Sequence, residues 1–305
     1  MNIVNLGIFV ADTVFQADRM PRMGETVLGQ GFFLGPGGKG SNQSVAAAMA
    51  GGDVSFLTRV GVDAFAGIAK EIWAKAGVKS LVIEDPESYT GAAFIFLEAG
   101  SGSNAVLVSP GAAGRISVAD VEARAAEIGS AKVFVTQLEQ PLEAAHRGLE
   151  IARAGGAVTL FNPAPAQAVS DEMLALCDFV TPNETEAEIL TGITVSDVET
   201  AKAAADALIA RGAGAVIITM GGQGALYHDG KRSLHVPPMK AGEVLDTTGA
   251  GDAFNGGFSV ALAEGKSIAE ALRFATATAS ISVTRMGTAA SMPSRAEIEE
   301  LLNKG

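Results

Sequence analysis

The chain has 305 residues, 48% of them hydrophobic, with 37 glycines and 11 prolines, which is ample for a large buried core. Its 22 basic and 34 acidic residues give a formal charge of -12, and no Lys/Arg-rich run occurs. Nucleic acid binding is therefore not expected, because a phosphate backbone needs a basic face. The one cysteine, Cys177, excludes an internal disulfide framework and fits a reducing compartment. It lies in an apolar run with Met173, Leu174, Leu176 and Phe179 and reads as a buried, inert thiol.

Residues Met1–Gly7 show no basic segment followed by a long apolar one, and no apolar segment reaches transmembrane length. A cytoplasmic protein with no membrane attachment is the expectation. Ile3–Val10 is the first candidate strand. Further strands are expected at Val54–Leu57, Lys132–Thr136, Ala157–Phe161, Phe179–Thr181 and Val216–Thr219. Helix-period segments lie between them, at Ser41–Ala50, Ala64–Ala76, Ser117–Ile128, Leu142–Ala154 and Val198–Arg211. Three more helical patterns close the chain, at 250–263, 267–283 and 294–303. Continuous apolar strands alternating with helices predict an α/β fold. Its doubly wound, mainly parallel sheet is covered by helices on both faces.

Two regions break the alternation. Residues 11–35 carry Pro21 and several glycines, and residues 90–108 read as a hairpin: Ala92–Glu98, a turn at Gly100-Ser101-Gly102-Ser103, then Ala105–Val108. Paired, they form a small sheet projecting from the main one. Such a sheet is placed either to act as a lid that excludes water or to decorate the surface. No linker or repeat divides the chain, so one domain spanning 1–305 is expected.

The chemistry concentrates in four loops. Gly35-Pro36-Gly37-Gly38-Lys39-Gly40 matches G-x-G-x-x-G, but it does not close the first βα unit, and Pro36 and Lys39 sit poorly against a pyrophosphate. It is not a Walker A loop either, because residue 33 is Phe and residue 40 is Gly. The loop suits a polyol better: Gly37 and Gly38 allow close approach, Asn42 donates and accepts, Lys39 adds a cation, and Ser41 or Asn42 caps the following helix. Thr181-Pro182-Asn183-Glu184-Thr185-Glu186 follows a strand and opens a helix, so Glu186 reads either as a carboxylate for water-bound Mg²⁺ or as part of a helix cap. Thr219-Met220-Gly221-Gly222-Gln223-Gly224 ends a strand where open α/β sheets bind ligands, or turns a hairpin into Ala225–His228. Asp246-Thr247-Thr248-Gly249-Ala250-Gly251-Asp252 precedes an amphipathic run through Phe254, Phe258, Ala261 and Leu262. Backbone donors at that helix start suit a phosphate, and Asp252 suits a proton acceptor, although an acidic first turn also complements a helix dipole. His146, His228 and His235 show no metal-ligand spacing, and no G-x-S-x-G elbow occurs.

These pieces together resemble the ribokinase-like (phosphofructokinase-B) carbohydrate kinase family, and within it the ribokinases. The match spans nearly the whole chain in the family's order. It runs through GGKGSNQ (Gly37–Gln43), QLEQP (Gln137–Pro141), NPAPA (Asn162–Ala166), TPNETE (Thr181–Glu186), TMGGQG (Thr219–Gly224) and DTTGAGDAFNGGF (Asp246–Phe258). The resemblance implies an ATP-dependent sugar kinase with Mg²⁺ as cofactor and D-ribose, at its 5-hydroxyl, as the first choice of substrate. Asp252 is then the catalytic base, with Gly249, Ala250 and Gly251 as the anion hole. Asp12, Gly38, Lys39, Asn42 and Glu139 hold sugar. Asn183, Glu186, Thr219, Gly221, Gly224 and Thr276 face ATP, with Glu186 on Mg²⁺ through water. The family's monovalent cation site, filled by K⁺, falls at Asp246, the Thr248 carbonyl and Ser291, near the Val283, Met286 and Gly287 carbonyls. A homodimer joined through the lid is also implied.

Two positions depart from the family's pattern. Val10 stands where ribokinases carry a sugar-contacting Asn, and Thr276 stands where a His near the adenine is common. A valine cannot bond a hydroxyl, and an unpaired polar group costs roughly 1–3 kcal/mol. Val10 therefore favours a deoxy, differently configured or larger sugar. Fructose, 2-keto-3-deoxygluconate and nucleosides are the alternative substrates. A nicotinamide-dependent oxidoreductase and a non-catalytic sugar sensor are the readings from other classes.

Overall fold

The computed structural model describes residues 2–100 and 103–304. The tip residues Ser101 and Gly102 of the expected hairpin turn lie outside the described residues. Thirteen strands are found among them: β1 (Asn2–Leu6), β2 (Val10–Ala17), β3 (Gly31–Gly37), β4 (Asp53–Gly61), β5 (Lys79–Asp85), β6 (Thr90–Glu98), β7 (Asn104–Gly111), β8 (Val133–Thr136), β9 (Val158–Phe161), β10 (Phe179–Val180), β11 (Ala215–Thr219), β12 (Ala225–His228) and β13 (Ser233–Val236). The helices are α1 (Lys39–Met49), α2 (Ala64–Ala76), α3 (Val118–Glu122), α4 (Ala125–Gly129), α5 (Leu142–Gly155), α6 (Asp171–Ala175), α7 (Glu184–Thr191), α8 (Val198–Ala210), α9 (Ala250–Ala263), α10 (Ile268–Ser282) and α11 (Arg295–Lys304).

The large sheet runs β13-β12-β11-β10-β9-β8-β1-β4-β5 and is parallel except for β12 and β13. Successive residues of its buried strands face opposite sides, as the pleat demands. Ile3, Val133, Val135, Leu160 and Ile217 pack beneath α1, α2, α9, α10 and α11. Val4, Leu6, Phe134, Phe161, Val216 and Ile218 pack beneath the helices from α3 to α8. The expected doubly wound architecture is therefore present, with a core on each face. From β1 the chain winds outward through β4 and β5, and from β8 it winds the other way. The crevice between β1 and β8 is thus the topological switch point, where open α/β sheets bind ligands.

A separate four-stranded sheet, β3-β2-β6-β7, stands beside it. It uses Val10–Ala17 and Gly31–Gly37 from the first irregular region, leaving 18–30 outside strands, and its hairpin extends to Gly111. The run expected as one strand, Ile3–Val10, is divided: β1 ends at Leu6 in the large sheet and β2 begins at Val10 in the small one. The break has a packing cause. The backbone of Gly40, in α1, presses on Gly7 so closely that a Cβ on Gly40 would lie 2.7 Å from the Gly7 Cα. The helix expected at Ser117–Ile128 is divided at Ala123-Arg124. Strand β5 lies outside the expected set, because Lys79–Asp85 at the sheet's edge lacks a continuous apolar run.

Helix α1 begins at Lys39 with Gly38 as its uncapped N-cap, not with a Ser41 or Asn42 cap. Those two side chains lie inside the helix and have other work. Ser41 accepts the indole N–H of the buried Trp73 at 2.9 Å, and Asn42 reaches α9. Helices α1 and α9 cross almost backbone to backbone. A Cβ on Gly256 would stand 2.5 Å from the Ala46 Cβ and 2.8 Å from the Ala47 nitrogen, so glycine alone permits the crossing. No helix among the described residues is long and apolar enough to cross a membrane.

Candidate active site

The parallel strands carry their C-terminal ends to one edge of the large sheet. Gln137 to Glu139 follow β8, Asn162 follows β9, Thr181 and Asn183 follow β10, and Thr219 ends β11. Helix α9 rises at the same edge from Gly249, whose φ of 78° is left-handed and suits glycine. No side chain caps this helix. The Ala250 N–H reaches the Thr247 carbonyl at 3.2 Å, and a Cβ on Gly251 would meet nothing within 4 Å. The backbone is therefore open at Gly251, and Gly249, Ala250 and Gly251 line the space in front of it.

Asp252 stands in the first turn of α9, 5% exposed. Two amides from α1 hold it: Gln43 Nε2 donates to Oδ1 at 3.0 Å and Asn42 Nδ2 donates to Oδ2 at 3.1 Å. The Asn42 Oδ1 has no partner. Around Asp252 a cavity of about 130 Å³ is lined by Lys39, Asn162, Glu186, Asn255 and the 249–251 backbone. Asn183, Thr219, Thr247, Ala250 and Gly251 also line a second cavity of about 650 Å³, so the two adjoin. That size lies within the usual ~300–1,000 Å³ of ligand pockets. Gly221, Gly224, Thr276 and the loop from Pro238 to Val244 form much of its wall. The Thr276 hydroxyl, in the wall of this cavity, is buried with no partner.

The charges are mutually dependent. Burial disfavours the Lys39 ammonium, but Asp252, Glu139 and Glu186 outweigh it and move the group upward, so it stays charged. Burial pushes Glu139 up to about 7 against the pull of Lys39 and the Lys39 backbone N–H, which donates to Oε2 at 2.7 Å. Burial also raises Asp12 to about 6. Asp12 lies on β2, and its carboxylate lies so close to Gly37 that a Cβ there would fall 2.2 Å from Oδ1. Burial raises Glu186 as well, although the Asn183 N–H donates to its Oε2.

The structure brings Lys39, Asn42, Asp252, Glu139 and Glu186 together and places Asp12 and Gly38 at their margin on the small-sheet side. Asn183 and Glu186 form a reciprocal capping box on α7, so the helix-cap reading is realised even as the carboxylate faces the cavity. Asp246 lies apart. Its Oδ1 accepts from the Thr248 N–H and its Oδ2 from the Gly287 N–H, both at 2.9 Å. Burial would raise it, but these bonds prevail and lower it. The Val283 carbonyl already accepts from Leu245 and Asp246, and the Ser291 hydroxyl donates to the Thr288 carbonyl at 2.7 Å. Met286 is exposed. Among the described residues no group of three His, Cys, Asp or Glu side chains is arranged to hold a metal.

Asn162, Asn255, Thr181 and Gln43 also belong to the site, and the sequence reading gave them no role. The available signal was polar residues where buried strands end and where α1 should be apolar.

Glu139 supplies a stability test. Its folded-state value lies above the ordinary carboxylate value of 4.5, so its contribution is complete below that pH and is lost as pH rises through about 7. Glu139→Gln should therefore nearly match the ligand-free wild type in thermal melts at pH 4 and exceed it at pH 8. Equal pH dependence of the two proteins would contradict the burial of an ionisable group there.

The sequence pattern of the pfkB family carbohydrate kinases matches residues 2–295. The chain is 40% identical to the ribokinase of Haemophilus influenzae over 298 residues, covering 97% of both chains. It is 38% identical to the deoxyribokinase of Salmonella typhi over 305 residues, covering 99% of each. The structure of Arabidopsis thaliana ribokinase complexed with ribose and ATP superposes with a TM-score of 0.90 at 30% identity, over 99% of this chain and 98% of that one. With this agreement of sequence, fold and site, the chain belongs to the pfkB family of carbohydrate kinases.

Proposed function

We propose that the protein transfers the γ-phosphate of ATP to the 5-hydroxyl of D-ribose, with Asp252 as the base. The observation that carries this reading is the buried Asp252 carboxylate, set between the 249–251 backbone and the Lys39 ammonium. Asp252 removes the hydroxyl proton, the hydroxyl oxygen bonds to the γ-phosphorus, and the bond from phosphorus to the ADP oxygen breaks. Lys39 and the 249–251 backbone meet the charge on the transferring group, where positioning and neutralisation supply most of the catalysis. The smaller cavity receives the γ-phosphate. The larger receives the nucleotide, against Asn183, Thr219, Gly221, Gly224 and Thr276. Asp12, Gly38, Lys39, Asn42 and Glu139 hold the sugar.

Mg²⁺ fits the same space. Glu186 and Asn183 line it beside the 249–251 backbone, and a single carboxylate there suits a cation held mainly by phosphates and water. When bound, Mg²⁺ would neutralise charge on the phosphate groups, and Glu186 and Asn183 are the residues that would hold it through water. A monovalent cation, K⁺, belongs at the loop that Asp246 ties to Gly287, with Thr248, Val283, Met286 and Ser291 around it. Thr288 of that loop lies 3.4 Å from where a Gly249 Cβ would be, so the loop supports the anion-binding backbone directly.

A second sugar reading has its own observation. Val10 shares the face of β2 that carries Asp12, two residues away, and is 4% exposed, so this part of the wall is apolar. That favours a sugar lacking one hydroxyl, 2-deoxyribose, and one relative at 38% identity is a deoxyribokinase. An ADP-release assay with MgATP and K⁺ against ribose, 2-deoxyribose, fructose and nucleosides should show turnover on a pentose. With that sugar, Asp252→Asn should lower kcat by about 10²–10⁴ with ATP affinity similar. An Asn variant with near-normal turnover removes the base assignment. Replacing K⁺ by Tris should lower the rate, and a flat response removes the cation site.

The small sheet is proposed as a lid over the sugar and, on its outer face, as a dimer interface. Phe15, Phe32, Phe94 and Leu107 are exposed on that face, with the Phe15 ring 5.0 Å from Phe32 and 5.7 Å from Phe94, while Phe33, Val106 and Val108 are exposed on the opposite face, the one that carries Asp12. An exposed apolar patch of this kind marks an interaction surface, and β7 is an edge strand able to accept a partner. A second copy of the chain is the occupant that the family implies. Sedimentation should give a dimer, and Leu107→Asp with Phe32→Asp should give a monomer. A wild-type monomer at micromolar concentration would remove the interface.

A further inference from the structure

A chain of buried side-chain amides runs from the β1 strand to Asp252. Asn5 Nδ2 donates to the Gly40 carbonyl at 3.1 Å, and Gln137 Nε2 donates both to Asn5 Oδ1 at 2.9 Å and to Gln43 Oε1 at 2.7 Å. Gln43 Nε2 then donates to Asp252 Oδ1 and to Asn162 Oδ1, each at 3.0 Å. Asn162 Nδ2 closes the chain on the Thr181 carbonyl at 2.9 Å. Gln43 is 1% exposed, and every hydrogen-bonding position of its NH₂ is used.

An amide group reads differently from its two ends, and here backbone fixes which end faces which. The Gly40 carbonyl can only accept, so Asn5 must present its NH₂ there and its oxygen to Gln137. Gln137 must then present NH₂ to Gln43, and the Gln43 oxygen is committed. From the other side, the Thr181 carbonyl forces the Asn162 oxygen toward Gln43. Both ends of the chain therefore require Gln43 to offer NH₂, never oxygen, to Asp252. Asn42, on the other carboxylate oxygen, is not so constrained, because its own oxygen has no partner. We propose that Gln43 is the positioning residue of this kinase: its backbone-fixed amide, donating to Oδ1, holds the Asp252 carboxylate in one orientation toward the substrate hydroxyl. The inference rests on Asp252 being the base. Gln43 touches neither substrate, and a neutral Asp252 would have to place its proton away from Oδ1. Hydrogen bonds to the charged form favour that form. The charged groups facing Asp252 from the neighbouring elements are Lys39, Glu139 and Glu186, and Gln43 leaves all three in place.

The test compares Gln43→Met, which matches the volume and lacks the donor, with Gln140→Met as a control. Gln140 is an equally buried amide that bonds Thr136 Oγ1 and the Gln137 carbonyl and does not reach Asp252. Melting temperature and ATP binding of each variant establish that it is folded. Gln43→Met should lower kcat by about 10- to 100-fold, the scale of a lost orienting partner, with both KM values changed by less than about threefold. The acid limb of its kcat–pH profile should move up by about one unit. Gln140→Met should lower the melting temperature and leave kcat and the profile as in wild type. Should Gln43→Met not fold, Gln43→Glu keeps the shape, sets a second carboxyl against Asp252, and should show the larger shift of the acid limb. An unmoved profile in the folded Gln43 variant, or the same kcat loss in Gln140→Met, overturns the proposal. Asp252→Asn run alongside separates the two readings. Normal turnover there removes the base itself, whereas an inactive Asp252→Asn beside a normal Gln43 variant removes only the positioning role.

Discussion

Everything at the catalytic edge depends on one contact, the crossing of α1 over α9. It brings the amides of Asn42 and Gln43 within hydrogen-bond distance of a carboxylate buried in the first turn of the other helix. A buried, ionised carboxylate is costly unless donors replace its water. The donors arrive only because Gly256 lets the helices meet at backbone distance. The same crossing carries Lys39 to the site at the very start of α1, so the proposed base and the cation beside it are placed by one packing event rather than two. Local sequence choices and global architecture agree there, and such agreement specifies a single native state.

The electrostatics follow from that geometry. The chain is acidic overall, yet it must bind a polyanionic nucleotide, and it solves the conflict locally rather than with a basic surface. One ammonium is kept charged by three carboxylates: burial raises Glu139 and Glu186, each of which also accepts a backbone N–H, and the side-chain amides of Asn42 and Gln43 hold Asp252. Each member makes the others tolerable, and in the proposed reaction the phosphate is met chiefly by oriented backbone, whose dipoles carry no net charge to be neutralised between turnovers.

Much of this was legible in the sequence. Alternating apolar strands and helical periods gave the doubly wound sheet, because buried parallel strands leave a continuous apolar signature. Glycine-rich loops at strand ends gave Asp252, Lys39 and the 249–251 backbone. The misreadings have physical reasons. Ile3–Val10 looked like one strand because apolarity does not report which sheet a residue joins, and the division at Gly7 is set by a distant backbone, Gly40. Ser41 and Asn42 looked like caps because their types favour helix starts, whereas tertiary partners at Trp73 and Asp252 claim them. The amide chain through Asn5, Gln137 and Gln43 was invisible for the same reason: its members are up to 132 residues apart in sequence. The sign of trouble was Asn5 itself, a polar residue inside a buried strand.

The division at Gly7–Phe9 has a mechanical consequence. Leu6 is locked in the large sheet and Val10 in the small one, so three residues tether the two. Ile8 and Phe9 are fully buried, and the Ile8 carbonyl accepts the Ser41 N–H at 3.2 Å, so the tether is clamped and has little slack. A tether this short transmits displacement instead of absorbing it. The small sheet is therefore a lever with its fulcrum beside α1, and any swing at its outer edge is delivered, reduced in amplitude, to Asp12 and Gly37. On the proposed assignment, sequence change on the outer part of the small sheet would retune how the sugar is gripped, while Asp252, anchored on α9, keeps its geometry.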